Sequence, residues 1–305
     1  VHVVAKAVAA LAVLPLGVAL AQERAPVFPV GLDVVNLTVT VRDANGRLVP
    51  HLQVDDFTVF EDNRVQDVSL FAPAVEPGQD EALALDLGLL MDTSESMMHE
   101  IGLSKEAAVR FLDAIPRARD LLMVFFDQDI RISRYTNELQ QGLFERIVES
   151  HSSGNTALYD AIAVYLSRVQ DGAGRKVLVL LSDGDDTFSS VSLQEVLELA
   201  RSSPVTIYCI AFSGDRPIGS RRFIAARGFL SSLSEMTGGA TFTPTMSRDL
   251  PPIYDTILNE LESQYVLGYI PANSRHQGKW RKVRVEVKPD KLRVRHRAGY
   301  YEPLG

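Results

Sequence analysis

Leu89-Leu90-Met91-Asp92-Thr93-Ser94-Glu95-Ser96 joins an apolar run to a short polar loop. The apolar part, from about residue 83 to 91, has the length and composition of a strand buried on both faces. Downstream, two periodicities alternate. Runs 121–126, 177–181, 205–212 and 240–243 read as strands, and 130–135 reads as a hairpin partner of 121–126. Helical spacing covers 103–115, 137–148, 156–169, 193–201, 229–236 and 250–262, the fifth ending at Gly238-Gly239. Apolar strands alternating with helices predict an α/β domain over residues 82–264, a doubly wound and mostly parallel sheet covered on both faces. In such a sheet ligands bind beyond the carboxyl ends of the strands, where the 92–96 loop falls.

The flanks follow a different pattern. Val35, Leu37, Val39 and Val41 alternate with polar residues, as in a half-buried strand. Asn45-Gly46 signals a hairpin, Phe57 and Val59 begin a second strand, Asp62-Asn63 turns it, and Val68 and Leu70 lie in a third. Residues 72–81, with two Pro, a Gly and several acids, read as a linker. After residue 265 the alternation returns, in Val283, Val285, Val287 and again in Leu292 and Val294. Neither β-rich part, 28–75 or 265–305, is large enough for a stable sheet fold alone. The two are therefore expected to pair into one small β-sandwich, with the α/β domain inserted between them.

The chemistry of the first loop lies in its oxygens. Asp92, Ser94 and Ser96 follow a strand end, Thr156 stands at a predicted helix start, and Asp183 follows the strand 177–181. Hard oxygen donors suit Mg²⁺, or Mn²⁺ or Ca²⁺. The same residues could instead cap and brace loops. Asp160 reads as a cap or brace of its helix, and Glu95, Asp185 and Asp186 as added negative potential. Asp183-x-Asp185-x-Thr187 fails as a calcium loop, having Phe188 where Gly belongs and Gln194 where Glu belongs. Ser94 stands where an aspartyl phosphotransferase would have its second Asp. Gly-x-Ser-x-Gly and Walker patterns are missing. His99 and His151 leave a metallo-hydrolase conceivable, but they read as solvated loop residues.

The ordered set Asp92-x-Ser94-x-Ser96, Thr156, Asp183 resembles the metal-ion-dependent adhesion site of von Willebrand factor type A domains and integrin inserted domains. The resemblance implies that Ser94, Ser96 and Thr156 ligate the metal directly, while Asp92 and Asp183 act largely through water. It also implies a protein partner whose Asp or Glu completes the metal shell, and binding rather than catalysis. Neutral hydroxyl ligands leave the cation under-neutralised, so an incoming carboxylate gains more than it would beside direct carboxylates. The flanks 55–62, 265–269 and 297–301 are similar to a bacterial, acidobacterial branch described as von Willebrand factor A-related. Two other readings remain beside adhesion: an envelope assembly module whose metal only stabilises the fold, and, further off, a metal-dependent hydrolase.

Composition bounds the partners. A net charge of −8 argues against nucleic acid, whose binding rests on basic phosphate contacts. The charge is uneven: residues 275–297 hold ten Lys or Arg against Glu286 and Asp290. This reads as a solvated strand face, with contact to an anionic surface as the alternative. Lys6, the apolar run 7–21 and Ala19-Leu20-Ala21 read as an export signal over residues 1–21, which predicts a periplasmic or extracellular protein. The one cysteine, Cys209, lies in an apolar run and reads as a buried small hydrophobe.

Overall fold

The computed structural model describes residues 34–302, apart from 74–83, 116–117, 136–139, 170–173, 214–216, 218, 274–276 and 290. The expected export signal, the start of the second predicted helix and most of the predicted linker lie outside the described residues.

Four strands come first: β1 (Val35–Arg42), β2 (Phe57–Glu61), β3 (Arg64–Gln66) and β4 (Val68–Pro73). Ala72 and Pro73, read from sequence as linker, instead extend β4, where they pair with Val266 and Tyr265. Asn45-Gly46 does turn the chain, with Gly46 at φ +80, but only Leu48 bridges back to Arg42. The second turn is tighter: Asp62 and Asn63 both adopt positive φ, the geometry that joins β2 directly to β3.

The α/β part follows, with β5 (Leu85–Asp92), α1 (Ile101–Ala114), β6 (Asp120–Phe126), β7 (Ile130–Tyr135), α2 (Gln140–Glu149) and α3 (Leu158–Arg168). It continues through β8 (Arg175–Ser182), α4 (Leu193–Ser202), β9 (Thr206–Ala211), α5 (Arg221–Met236), β10 (Thr241–Phe242) and α6 (Leu250–Ser263). The sheet order is β10-β9-β8-β5-β6-β7, parallel except for β7. Successive residues of β5 serve opposite faces. Leu89 and Met91 pack with α1, α2 and α6, whereas Leu90 packs with α3, α4 and α5. Gly88 is required there, since a Cβ would lie 2.1 Å from the ring of Tyr165 on α3.

Two helices differ from their sequence reading. α5 begins at Arg221, eight residues before the predicted start, because Ser220 caps it by accepting from Phe223 N, at 3.2 Å. Its first turns bury Phe223 and Ala226 at helical spacing ahead of Phe229 and Leu230, with Arg227 and Gly228 interrupting the apolar run. α3 begins at Leu158, so Thr156 precedes the helix and stays in the loop.

The chain closes with β11 (Tyr265–Tyr269), β12 (Trp280–Val287), β13 (Arg293–Arg295) and β14 (Gly299–Tyr301). Strands from both ends of the chain interleave in two antiparallel sheets, β13-β1-β11-β4 and β14-β12-β2-β3. Leu37, Val39 and Leu267 of one sheet and Val59, Val283 and Val285 of the other share one core, which makes the pair a sandwich.

Candidate metal centre

Three loops meet at the C-terminal edge of the parallel sheet. β5 delivers Asp92 fully buried. One carboxylate oxygen, Oδ1, accepts from Ser94 N at 3.0 Å and Ser94 Oγ at 2.6 Å, and Oδ2 accepts from Ser182 Oγ at 2.7 Å. Ser94 Oγ and Ser96 Oγ lie 3.1 Å apart. β8 delivers Asp183, also buried, whose Oδ1 accepts from Asp185 N at 3.0 Å. Thr156 is buried in the loop before α3.

Backbone hydrogen bonds tie these loops together. Ser153 N donates to Thr93 O at 2.9 Å and Glu95 N to Gly154 O at 3.0 Å, joining the first loop to the second. Thr187 N and Phe188 N donate to Thr156 O at 2.9 and 3.0 Å, joining the second to the third. Thr187 Oγ1 accepts from Thr156 N at 3.0 Å. The five residues singled out from sequence are thus carried on one connected rim.

Burial, and then repulsion from the Asp183 carboxylate, push the Asp92 carboxyl up to about 7. Two buried carboxyl groups are held close on this edge, with Asp92 against the Ser94 hydroxyl and Ser96 beside it. That donor set consists of oxygen alone, which fits a hard divalent cation. Among the described residues, no group of three or more His, Cys, Asp and Glu could hold a metal ion. A cation on this face would therefore depend on the serine and threonine hydroxyls as well as on Asp92 and Asp183.

Asp160, read as a cap or brace, and Asp185 and Asp186, read as added negative potential, are each held by neighbours. Asp160 accepts from Ser190 N and Val191 N, which fixes the approach to α4. Asp186 accepts from Tyr159 N at the first turn of α3, and Asp185 pairs with Arg222 at 2.7 Å. His99 and His151 are exposed.

Sequence reasoning missed three contributors. Ser182 holds Asp92 and accepts from Gly184 N at 3.0 Å. A polar residue closing the otherwise apolar strand 177–182 was the available signal. Asp127 and Arg131 form a second bracket: Arg131 donates to Asp127 Oδ2 at 2.7 Å and to Thr93 Oγ1 at 3.0 Å. Asp127 O also accepts from Ala157 N at 2.8 Å, so the bracket reaches two of the three loops. Asp127 and Arg131 stand four residues apart, but no spacing rule marks their reach to Thr93, 34 and 38 residues away.

The von Willebrand factor type A domain pattern matches residues 86–251, more than half of the chain. The chain belongs to that family. No curated protein sequence matches it. A solved von Willebrand factor type A protein from Catenulispora acidiphila aligns with TM-score 0.50 and 12% identity, over 91% of this chain and 75% of its own. The pilus adhesin SpaC from Lactobacillus rhamnosus GG, in its open conformation, aligns with TM-score 0.50 and 9% identity, over 87% of this chain and 47% of SpaC. An aerotolerance-related membrane protein from Bacteroides fragilis NCTC 9343, with multiple mutations to serines, aligns with TM-score 0.45 and 15% identity, over 58% of this chain and 98% of its own. Identities this low show the fold alone. This von Willebrand factor type A protein spans about half the length of SpaC. None of its helices, among the described residues, is long and apolar enough to cross a membrane.

Proposed function

We propose that this chain binds a protein partner through a divalent cation, Mg²⁺ first, held by Ser94, Ser96 and Thr156 with Asp92 and Asp183 behind them. The observation that carries this reading is the convergence of these five oxygen-bearing residues on three loops already hydrogen-bonded to one another. When bound, the cation supplies a Lewis acid for a carboxylate of the partner.

The chain's own residues do the rest. Asp92 orients Ser94 through two hydrogen bonds, and Ser182 orients Asp92. Because the loops are fixed before any ligand arrives, less ordering is lost on binding. Three neutral hydroxyls leave net positive charge for the partner's Asp or Glu to neutralise. Binding rather than turnover is the assigned role, in adhesion or assembly at the cell envelope, with the protein exported to the periplasm or beyond.

Calorimetry of Mg²⁺ and Mn²⁺ into chelator-stripped protein tests the site, with Asp92→Ala and Thr156→Ala beside it. Saturable binding that both substitutions weaken by about tenfold or more, a change of about 1.4 kcal/mol, is expected. An absence of binding heat in the unsubstituted protein overturns the reading.

A further inference from the structure

We propose that the partner of the metal face is a second copy of this chain, which presents Glu286 from its sandwich, so that copies join head to tail. The inference rests on the metal-site reading above and names its occupant.

The head is acidic. Glu95 and Asp129 are exposed around the candidate metal site, and Asp185 and Asp186 are half-buried there. A carboxylate borne on an acidic or neutral surface would be repelled as it approached such a rim. A carboxylate embedded in a basic surface would be steered to it. The face also exposes two large apolar side chains on the ligand-bearing loops, Met98 at 51% and Phe188 at 55%. They offer contact area beside the metal.

The tail has the required chemistry. β12 alternates buried valines with an exposed row, Lys282, Arg284 and Glu286, which Lys288 extends. Lys291 and Arg293 are exposed nearby in the chain. Glu286 is the carboxylate of that row, 57% exposed, and its contact is an ion pair with Arg284 on the same strand. Exposed pairs of this kind contribute little and exchange readily. Other basic residues of the region are engaged inside the fold, Arg295 with Glu260 and Arg281 with Glu302. The exposed row therefore holds one acid among its bases, with Asp62 bordering it beside Lys282 and Asp56 beside Lys288.

Head and tail lie at opposite ends of the parallel sheet. The metal face is at the carboxyl ends of β5 and β8. The sandwich meets the other end, where Arg175 at the start of β8 donates to Leu261 O near the end of α6, just before β11. Glu286 cannot serve the site of its own chain, and a contact between unlike surfaces that does not close propagates into open chains.

Sedimentation velocity of the full chain, in Mg²⁺ and in EDTA, tests this. Unsubstituted protein is expected to form species larger than dimers in Mg²⁺ and to revert to monomer in EDTA. Glu286→Gln and Thr156→Ala are each expected to stay monomeric alone. Mixed one to one they should form dimers and stop, because one retains only a head and the other only a tail. Lys282→Glu with Lys288→Glu, which keeps Glu286, should weaken assembly as well. Monomeric unsubstituted protein that nonetheless binds Mg²⁺ calorimetrically overturns the head-to-tail contact and leaves the metal site standing. Assembly that persists in EDTA or in folded Glu286→Gln overturns the contact too. A lack of Mg²⁺ binding removes the site reading itself.

Discussion

Ser182 sits where two ligand-bearing strands touch. Its hydroxyl donates to Asp92 Oδ2 and accepts from Gly184 N, and both contacts are buried. Ser182→Ala leaves a buried carboxylate oxygen and an N–H without that partner, at a cost of about 1–3 kcal/mol. Urea unfolding in EDTA should show that loss, and Mg²⁺ affinity should fall in parallel. Arg131 behaves differently. Its side chain is 51% exposed, so the ion pair with Asp127 adds little to stability. Its hold on Thr93 is positional. Arg131→Met should change the unfolding midpoint little, yet speed amide exchange at Thr93 and Ser153 in metal-free protein. Unchanged exchange at those amides would count against the bracket.

Among the elements, α4 has the most explicit start signal. Ser192 Oγ accepts from Glu195 N, and Ser192 N donates to the Glu195 carboxylate at 2.8 Å, a reciprocal cap. Ser192→Ala should cost about 1 kcal/mol at neutral pH. The Ser192 hydroxyl, and then its N–H, hold the Glu195 carboxyl below its usual value. A carboxyl lowered in the folded state stabilises above the ordinary glutamate range, and that contribution fades as pH falls through the lowered value. The penalty of Ser192→Ala should therefore shrink in acid, which paired denaturation curves at two pH values would show.

At the scale of the molecule, one buried acid joins the α/β part to the sandwich. Glu260, in the last turn of α6, is 1% exposed. It pairs with Arg42 of β1 and Arg295 of β13, and its Oε2 accepts from Tyr208 OH of β9 at 2.9 Å. Glu260→Ala strands two guanidinium groups at the junction. Both arginines keep some access to water, which places the cost near 3 kcal/mol, the low end for breaking a buried pair. Thermal unfolding should shift down accordingly. A shift no larger than that of a surface substitution would show that the junction does not depend on this acid.

The amino-acid order alone carries the alternation of the α/β part, the strand-to-loop transition at Asp92 and the two β-rich flanks. Each is written in local periodicity: Leu89, Leu90 and Met91 announce a strand buried on both faces, while Val283, Val285 and Val287 announce one buried on a single face. The candidate ligands were legible because each follows a strand or precedes a helix, and the chain's direction then fixes the edge on which they fall. The early start of α5 was hard to read because Arg227 and Gly228 interrupt the apolar spacing that Phe223 and Ala226 carry into its first turns, which the Ser220 cap begins. It takes the folded chain to bring Ser182, Asp127 and Arg131 against the ligand-bearing loops and to set Glu260 between Arg42 and Arg295. Those contacts join residues far apart in the chain, and a side chain's partner across such a separation follows from packing, which no local pattern records.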